Sequence, residues 1–179
     1  MRRERAGAVL AALALTALAI LAAGCGSPSE ETRIRGLLKR AAALAEAREL
    51  DALGGLFAPD YEDFQGRGVD DTLRLVSGHL DRYRAVVIHL LGARVGGVDP
   101  EGRASVEFEV SLSHGAAEVL RKLIRLSGEY YRFLADVRKD GDGQWRFVSA
   151  EWSSIGLTDL LPESFEILKE LFPDISRMP

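Results

Sequence analysis

Cysteine is almost absent from this chain: Cys25 is the only one among 179 residues. No intramolecular disulfide can form, so stability in an oxidising compartment rests on the core. Histidine is scarce too. His79, His89 and His114 show no metal-ligand spacing and have no cysteine pair beside them, so neither a structural zinc site nor any cofactor is expected. Gly141-Asp142-Gly143 is turn chemistry and lacks the further oxygen ligands of a calcium loop. An excess of positive charge is also missing, with 23 Lys and Arg against 27 Asp and Glu. Nucleic acid is therefore not an expected partner, and anionic lipid would not hold the domain by charge.

What is present begins at the amino end. Arg2, Arg3 and Arg5 precede a 19-residue uncharged run, Ala6 to Gly24, which ends in small residues directly before Cys25. A basic start, an apolar middle and a small-residue end are the three parts of a secretory signal. The string Leu21-Ala22-Ala23-Gly24-Cys25 resembles the lipobox of bacterial lipoprotein precursors, although that family most often places Leu where Ala22 stands. The resemblance implies a diacylglycerol on the Cys25 sulfur, cleavage after Gly24 and acylation of the new amino group. Each buried methylene contributes ~0.8 kcal/mol, so several acyl chains make a durable membrane anchor. An unmodified secreted protein and a retained membrane helix are the competing readings. Residues 1–24 are thus read as signal peptide and 25–31 as a flexible tether, with the protein in the cell envelope. In a host with two membranes, Gly26 rather than Asp after the cysteine points to the outer one.

Without the leader, the remainder has one domain's worth of residues and a net charge of about −6. Apolar positions at three-to-four spacing predict a helix from Glu30, with Ile34, Leu37, Leu38, Ala41, Leu44 and Ala45 on one face. A second short turn, Ala52 to Phe57, ends at Pro59, and Tyr61 to Gln65 reads as a short extended piece. Asp70 or Asp71 caps the next helix, which runs to about Tyr83 on a Leu73, Val76, Leu80 stripe. Ala85 to Val95 is apolar on both faces, as in a central strand covered on each side. Ala104 to Leu112 alternates cleanly. Gly115 to Leu126 fits a short amphipathic helix whose Arg121, Lys122 and Arg125 form a solvated face. Glu129 to Lys139 and Gln144 to Ser154 form a hairpin about Lys139 to Gly143, and Asp159 to Leu171 forms a closing helix.

This order of elements, with Leu53 to Phe57, Pro59 to Phe64, and the strand pair Tyr130–Arg138 and Gln144–Trp152, resembles the nuclear transport factor 2-like superfamily. The resemblance implies an α+β fold: N-terminal helices packed on a strongly curved antiparallel sheet, cone-shaped, over residues 32–155. Residues 156–179 then form a C-terminal helical extension, which could cover the cone mouth. Isomerase- and cyclase-like enzymes occur in that superfamily, and so do domains without known activity.

Three groups of side chains are candidates for chemistry. Tyr61, Asp63 and Gln65 share one face of a short strand, where a buried Asp63 with a raised pKa could serve as a base beside Tyr61. A solvated strand edge is the competing reading. His89 shares a strand face with Val87 and Leu91 and reads as a core histidine in preference to a general base. Tyr83, Tyr130, Tyr131, Trp145 and Trp152 could line a ligand pocket or simply pack. Lacking a catalytic constellation, the sequence points to a lipid-anchored protein binding a small apolar ligand or another envelope protein. An isomerase- or cyclase-like enzyme and a homodimeric scaffold are the alternatives.

Overall fold

In the computed structural model, residues 28–83, 86–114 and 129–171 are described. The leader, Cys25 and the expected helix over Gly115 to Leu126 lie outside the described residues. Helix α1 (Glu30–Ala47) opens on Ser29, whose hydroxyl accepts the Thr32 N–H at 3.2 Å, a cap worth about 1 kcal/mol. It ends at Arg48, which takes the left-handed conformation with φ 59°. One turn of helix, α2 (Leu50–Gly54), leads into strand β1 (Phe57–Asp63). The strand starts at Phe57, before Pro59, because Pro59 sits on a sheet edge where its missing N–H costs nothing.

Helix α3 (Val69–Leu80) starts after Gly68; Asp70 and Asp71 lie in its first turn and do not cap it. Strands β2 (Val86–Val95), β3 (Arg103–His114), β4 (Glu129–Lys139) and β5 (Trp145–Ile155) follow. Gly143, at φ 78°, closes the Asp140 turn between β4 and β5. The sheet order is β1-β5-β4-β3-β2, with β1 parallel to β5 and every other pair antiparallel. The architecture is the expected α+β one, with a mixed sheet where an antiparallel one was expected. β2, read as central, is an edge strand; its two-sided apolarity reflects α1 on one face and the C-terminal helix on the other.

Polar bonds fix α1 across the inner face at three places. The Glu30 carboxylate accepts Lys139 Nζ at 2.7 Å and the Trp145 indole N–H at 2.8 Å. Glu46 accepts the Ile88 N–H of the β2 edge at 3.0 Å. Arg48 donates to Asp81 and to the carbonyls of Leu80 and Tyr83, tying the end of α1 to the end of α3. The packed core lies under the first half of α1: Ile34, Leu37 and Leu38 meet Val106, Val137, Trp145 and Phe147.

The outer face is covered differently. A 3-10 turn (Leu157–Asp159) leads into α4 (Pro162–Leu171), which lies on β2. Leu160 packs with Leu91 and Tyr130. The Glu109 carboxylate, 0% exposed, accepts two bonds from Arg132 and the Leu161 N–H at 2.9 Å. Arg132 also donates to the Asp159 carbonyl. Gly92 is required here, since a Cβ would stand 2.5 Å from Ser164 Oγ. The C-terminal helix therefore covers the β2 end of the outer face, and none of its described residues lines the pocket on the inner face. Among the described residues no helix is long and apolar enough to cross a membrane.

Candidate functional site

Beyond the packed end, α1 turns alanine-rich just as α3 joins it over the sheet. Ala41, Ala42 and Ala45 from α1 and Ala135 and Ala150 from the sheet are too short to meet, and a partly open pocket of about 330 Å3 remains. Its floor is a row of rings set by strand register: Phe108 on β3 pairs with Phe133 on β4, which pairs with Trp152 on β5. Phe108 and Phe133 stack at 5.0 Å with planes 6° apart, and Phe133 lies 6.2 Å from Trp152. Leu38, Val76, Leu90 and Val110 complete the apolar wall. The volume falls at the small end of pockets that hold organic molecules, about 300–1,000 Å3. A wider depression of about 560 Å3 on the outer face, lined by Glu62, Glu107, Asp136 and Glu151, is a charged open groove and a weaker candidate.

Polar groups enter the cavity wall at two places. On one side stand Tyr61 and Thr72. Burial pushes the Tyr61 phenol up to about 12, partly offset by the neighbouring Thr72 hydroxyl. On the other side are His79 and Tyr131. The Tyr131 hydroxyl donates to Glu129 Oε2 at 2.9 Å, and Tyr83 donates to Oε1 of the same carboxylate at 3.4 Å. His79 Nε2 lies 3.8 Å from Glu129 Oε2, and the ring meets Tyr131 edge-on at 6.2 Å. Burial and the Glu129 carboxylate hold the Tyr131 phenol at about 12. A carboxylate, an imidazole and two phenols thus meet at one end of an apolar space.

The candidates read from the sequence divide. Tyr61, at 4% exposure, lines the cavity, as do Tyr131 and Trp152, while Tyr83 stands at the edge through Glu129. Tyr130 faces the outer side against Leu91 and Leu160, and Trp145 belongs to the packed end. His89 pairs in register with Ser111 on the outer face, away from the cavity-lining Ile88 and Leu90. Asp63 is neither solvated nor basic. It is 5% exposed, and its carboxylate closes the turn after β1, accepting Arg67 Nε at 2.6 Å and the N–H groups of Gln65 and Arg67. Burial works against its charge, yet those bonds hold Asp63 below the ordinary carboxylate range, the opposite of what a base requires.

Sequence reasoning missed His79, Thr72 and Glu129, and it read the Phe108 position only as strand alternation. The available signal was the alanine stripe of α1, whose short side chains cannot fill the space beneath a helix. Among the described residues no group of three or more His, Cys, Asp or Glu is placed to hold a metal ion.

Several solved structures share this architecture. Aln2 from a Streptomyces species is 10% identical, with a TM-score of 0.60 over 72% of this chain and 93% of its own. A scytalone dehydratase candidate from Novosphingobium aromaticivorans is 20% identical, with a TM-score of 0.58 over 71% and 85%. A nuclear transport factor 2-like protein of unknown function from Pseudomonas putida is 19% identical, with a TM-score of 0.56 over 76% and 100%. At such identities the likeness shows the fold alone. No curated protein sequence matches the chain. The family model for the SnoaL-like domain matches residues 28–151, which span α1 through most of β5, and the chain belongs to that family.

Proposed function

We propose that this protein is a lipid-anchored envelope protein whose SnoaL-like domain binds a small, mainly apolar molecule without transforming it. The observation that carries the binding reading is the partly open pocket of about 330 Å3, whose walls are mainly aliphatic or aromatic. Apolar surface facing such a space gains by excluding water when a ligand fills it. The anchor reading is supported by the basic start, the uncharged run and the small residues before Cys25. Native mass spectrometry of the protein from its own host should find a small molecule travelling with it. A domain that is always empty, and that takes up no apolar dye, would remove the binding reading. Cys25→Ser should move the protein from the membrane fraction to the soluble one; unchanged attachment would remove the anchor.

One observation favours a second reading, an isomerase- or cyclase-like enzyme. His79 Nε2 has no hydrogen-bond partner among the described residues, and Glu129 stands 3.8 Å away. A neutral imidazole there could accept a proton from a bound molecule, with Glu129 stabilising the resulting imidazolium. Solvent-deuterium exchange into the natural ligand, abolished by His79→Gln with binding retained, would establish this reading over the first.

A further inference from the structure

Two side chains of α3 that line the pocket carry buried polar atoms without a well-formed hydrogen bond among the described residues: Thr72 Oγ1, which has only the neighbouring Tyr61 hydroxyl beside it, and His79 Nε2, which has Glu129 at 3.8 Å. Buried polar atoms are nearly always satisfied, so each one left over asks what completes it. The unpaired hydroxyls of Ser111 and Ser164 line neither cavity. Thr72 and His79 are seven residues apart on one helix, Val69–Leu80. Two turns place them on the same face, about 10 Å apart along the axis. Val76, one turn from each, fills the interval with an apolar side chain. Tyr61 stands beside Thr72, and Tyr131 and Glu129 stand beside His79.

We propose that the ligand is a neutral molecule bearing a hydroxyl group at each end of an apolar frame. One hydroxyl meets Thr72 and Tyr61, and the other meets His79. The proposal rests on the ligand-binding reading above and specifies the ligand's chemistry. Neutrality follows from the apolar walls, which would leave a ligand charge without solvation, and from the Glu129 carboxylate beside His79. Phe108 and Phe133 stack on each other and hold one another in place beside the frame between the two hydroxyls. Both atoms are closed off from the pocket, so each side chain has to rotate before it reaches a ligand.

The test uses calorimetry on the full-length protein with three probes that share a biphenyl frame. These are 4,4′-dihydroxybiphenyl, 4-phenylphenol and 4′-hydroxybiphenyl-4-carboxylate. The diol should bind about fivefold more tightly than the mono-ol, the increment of one further hydrogen bond, and the carboxylate should bind most weakly. Thr72→Val and His79→Leu should each reduce the diol to the affinity of the mono-ol and leave the mono-ol nearly unchanged, because it can use the remaining end. Thr72→Ser keeps the hydroxyl and should keep the preference, which separates loss of a bond from loss of fold. Equal binding of diol and mono-ol, or variants that weaken both probes alike, would overturn the two-ended ligand while leaving the cavity a binding site. Failure of all three probes together with an apolar dye would overturn the binding reading itself and this proposal with it.

Discussion

The two faces of the sheet are covered by opposite means. On the outer face the C-terminal segment is locked down by charge-assisted bonds: the Glu109 carboxylate gathers Arg132 and the Leu161 N–H, and Gly92 lets α4 approach the strand closely. On the inner face the polar ties of α1 lie near its ends, at Glu30, Glu46 and Arg48; its first half packs on the core, and beyond that alanines leave a space. The difference teaches where stability and function reside. The C-terminal clamp on the outer face, the turn clasp at Asp63 and the packed end supply the rigidity that lets the inner face stay hollow.

Four substitutions test that contrast, taken from the largest expected effect on stability to the smallest. Glu109→Ala should cost about 3 kcal/mol, since it leaves the buried Leu161 N–H without an acceptor and removes the buried partner of Arg132, which keeps Glu107 and the Asp159 carbonyl. Chemical denaturation measures the loss, and affinity for an apolar probe in the cavity should not change. A variant equally damaging to both would show that the two faces are not independent. Asp63→Asn should cost about 2 kcal/mol at neutral pH, from weakened bonds to Arg67 and Gln65. Because the folded carboxyl lies below its ordinary value of 3.8, the stability it contributes is fully present above that value. It is lost as pH falls through the lower folded value, so wild type and variant should converge in acid. A stability gap that persists unchanged at low pH would assign the effect to packing and not to charge.

Gly92→Ala should cost about 1–2 kcal/mol by pushing Ser164 and α4 outward, again without altering the cavity. Ala41→Leu is the counterpart on the inner face. It should add about 1 kcal/mol by filling space while weakening probe binding at least tenfold. Loss of stability in this last variant would mean that the wall cannot accept the added side chain, and that the space is smaller than it measures.

Much of the architecture was legible in local pattern. Period-two alternation at Ala104 to Leu112 and the Asp140 to Gly143 turn located β3 and the β4–β5 hairpin, because backbone conformation there depends on neighbouring residues. The edge position of β2 was not legible. Its apolar residues on both faces record burial, and burial by helices leaves the same mark as burial among strands. Asp63 misled for a related reason: a carboxylate two residues from a tyrosine on a strand reads as a paired site, while its partner Arg67 sits beyond the turn.

The sequence by itself determined the helices, the strands, the hairpin turn and the basic and uncharged leader before Cys25, all of which depend on residues close in the chain. Only the tertiary structure decided that Ala41, Ala135 and Ala150 face one another, that Phe108, Phe133 and Trp152 align in one row, and that His79 meets Glu129. Those juxtapositions come from strand register and from the placing of helices over the sheet. Register is a sum of many weak pairings between distant segments, so no single stretch of the chain carries it.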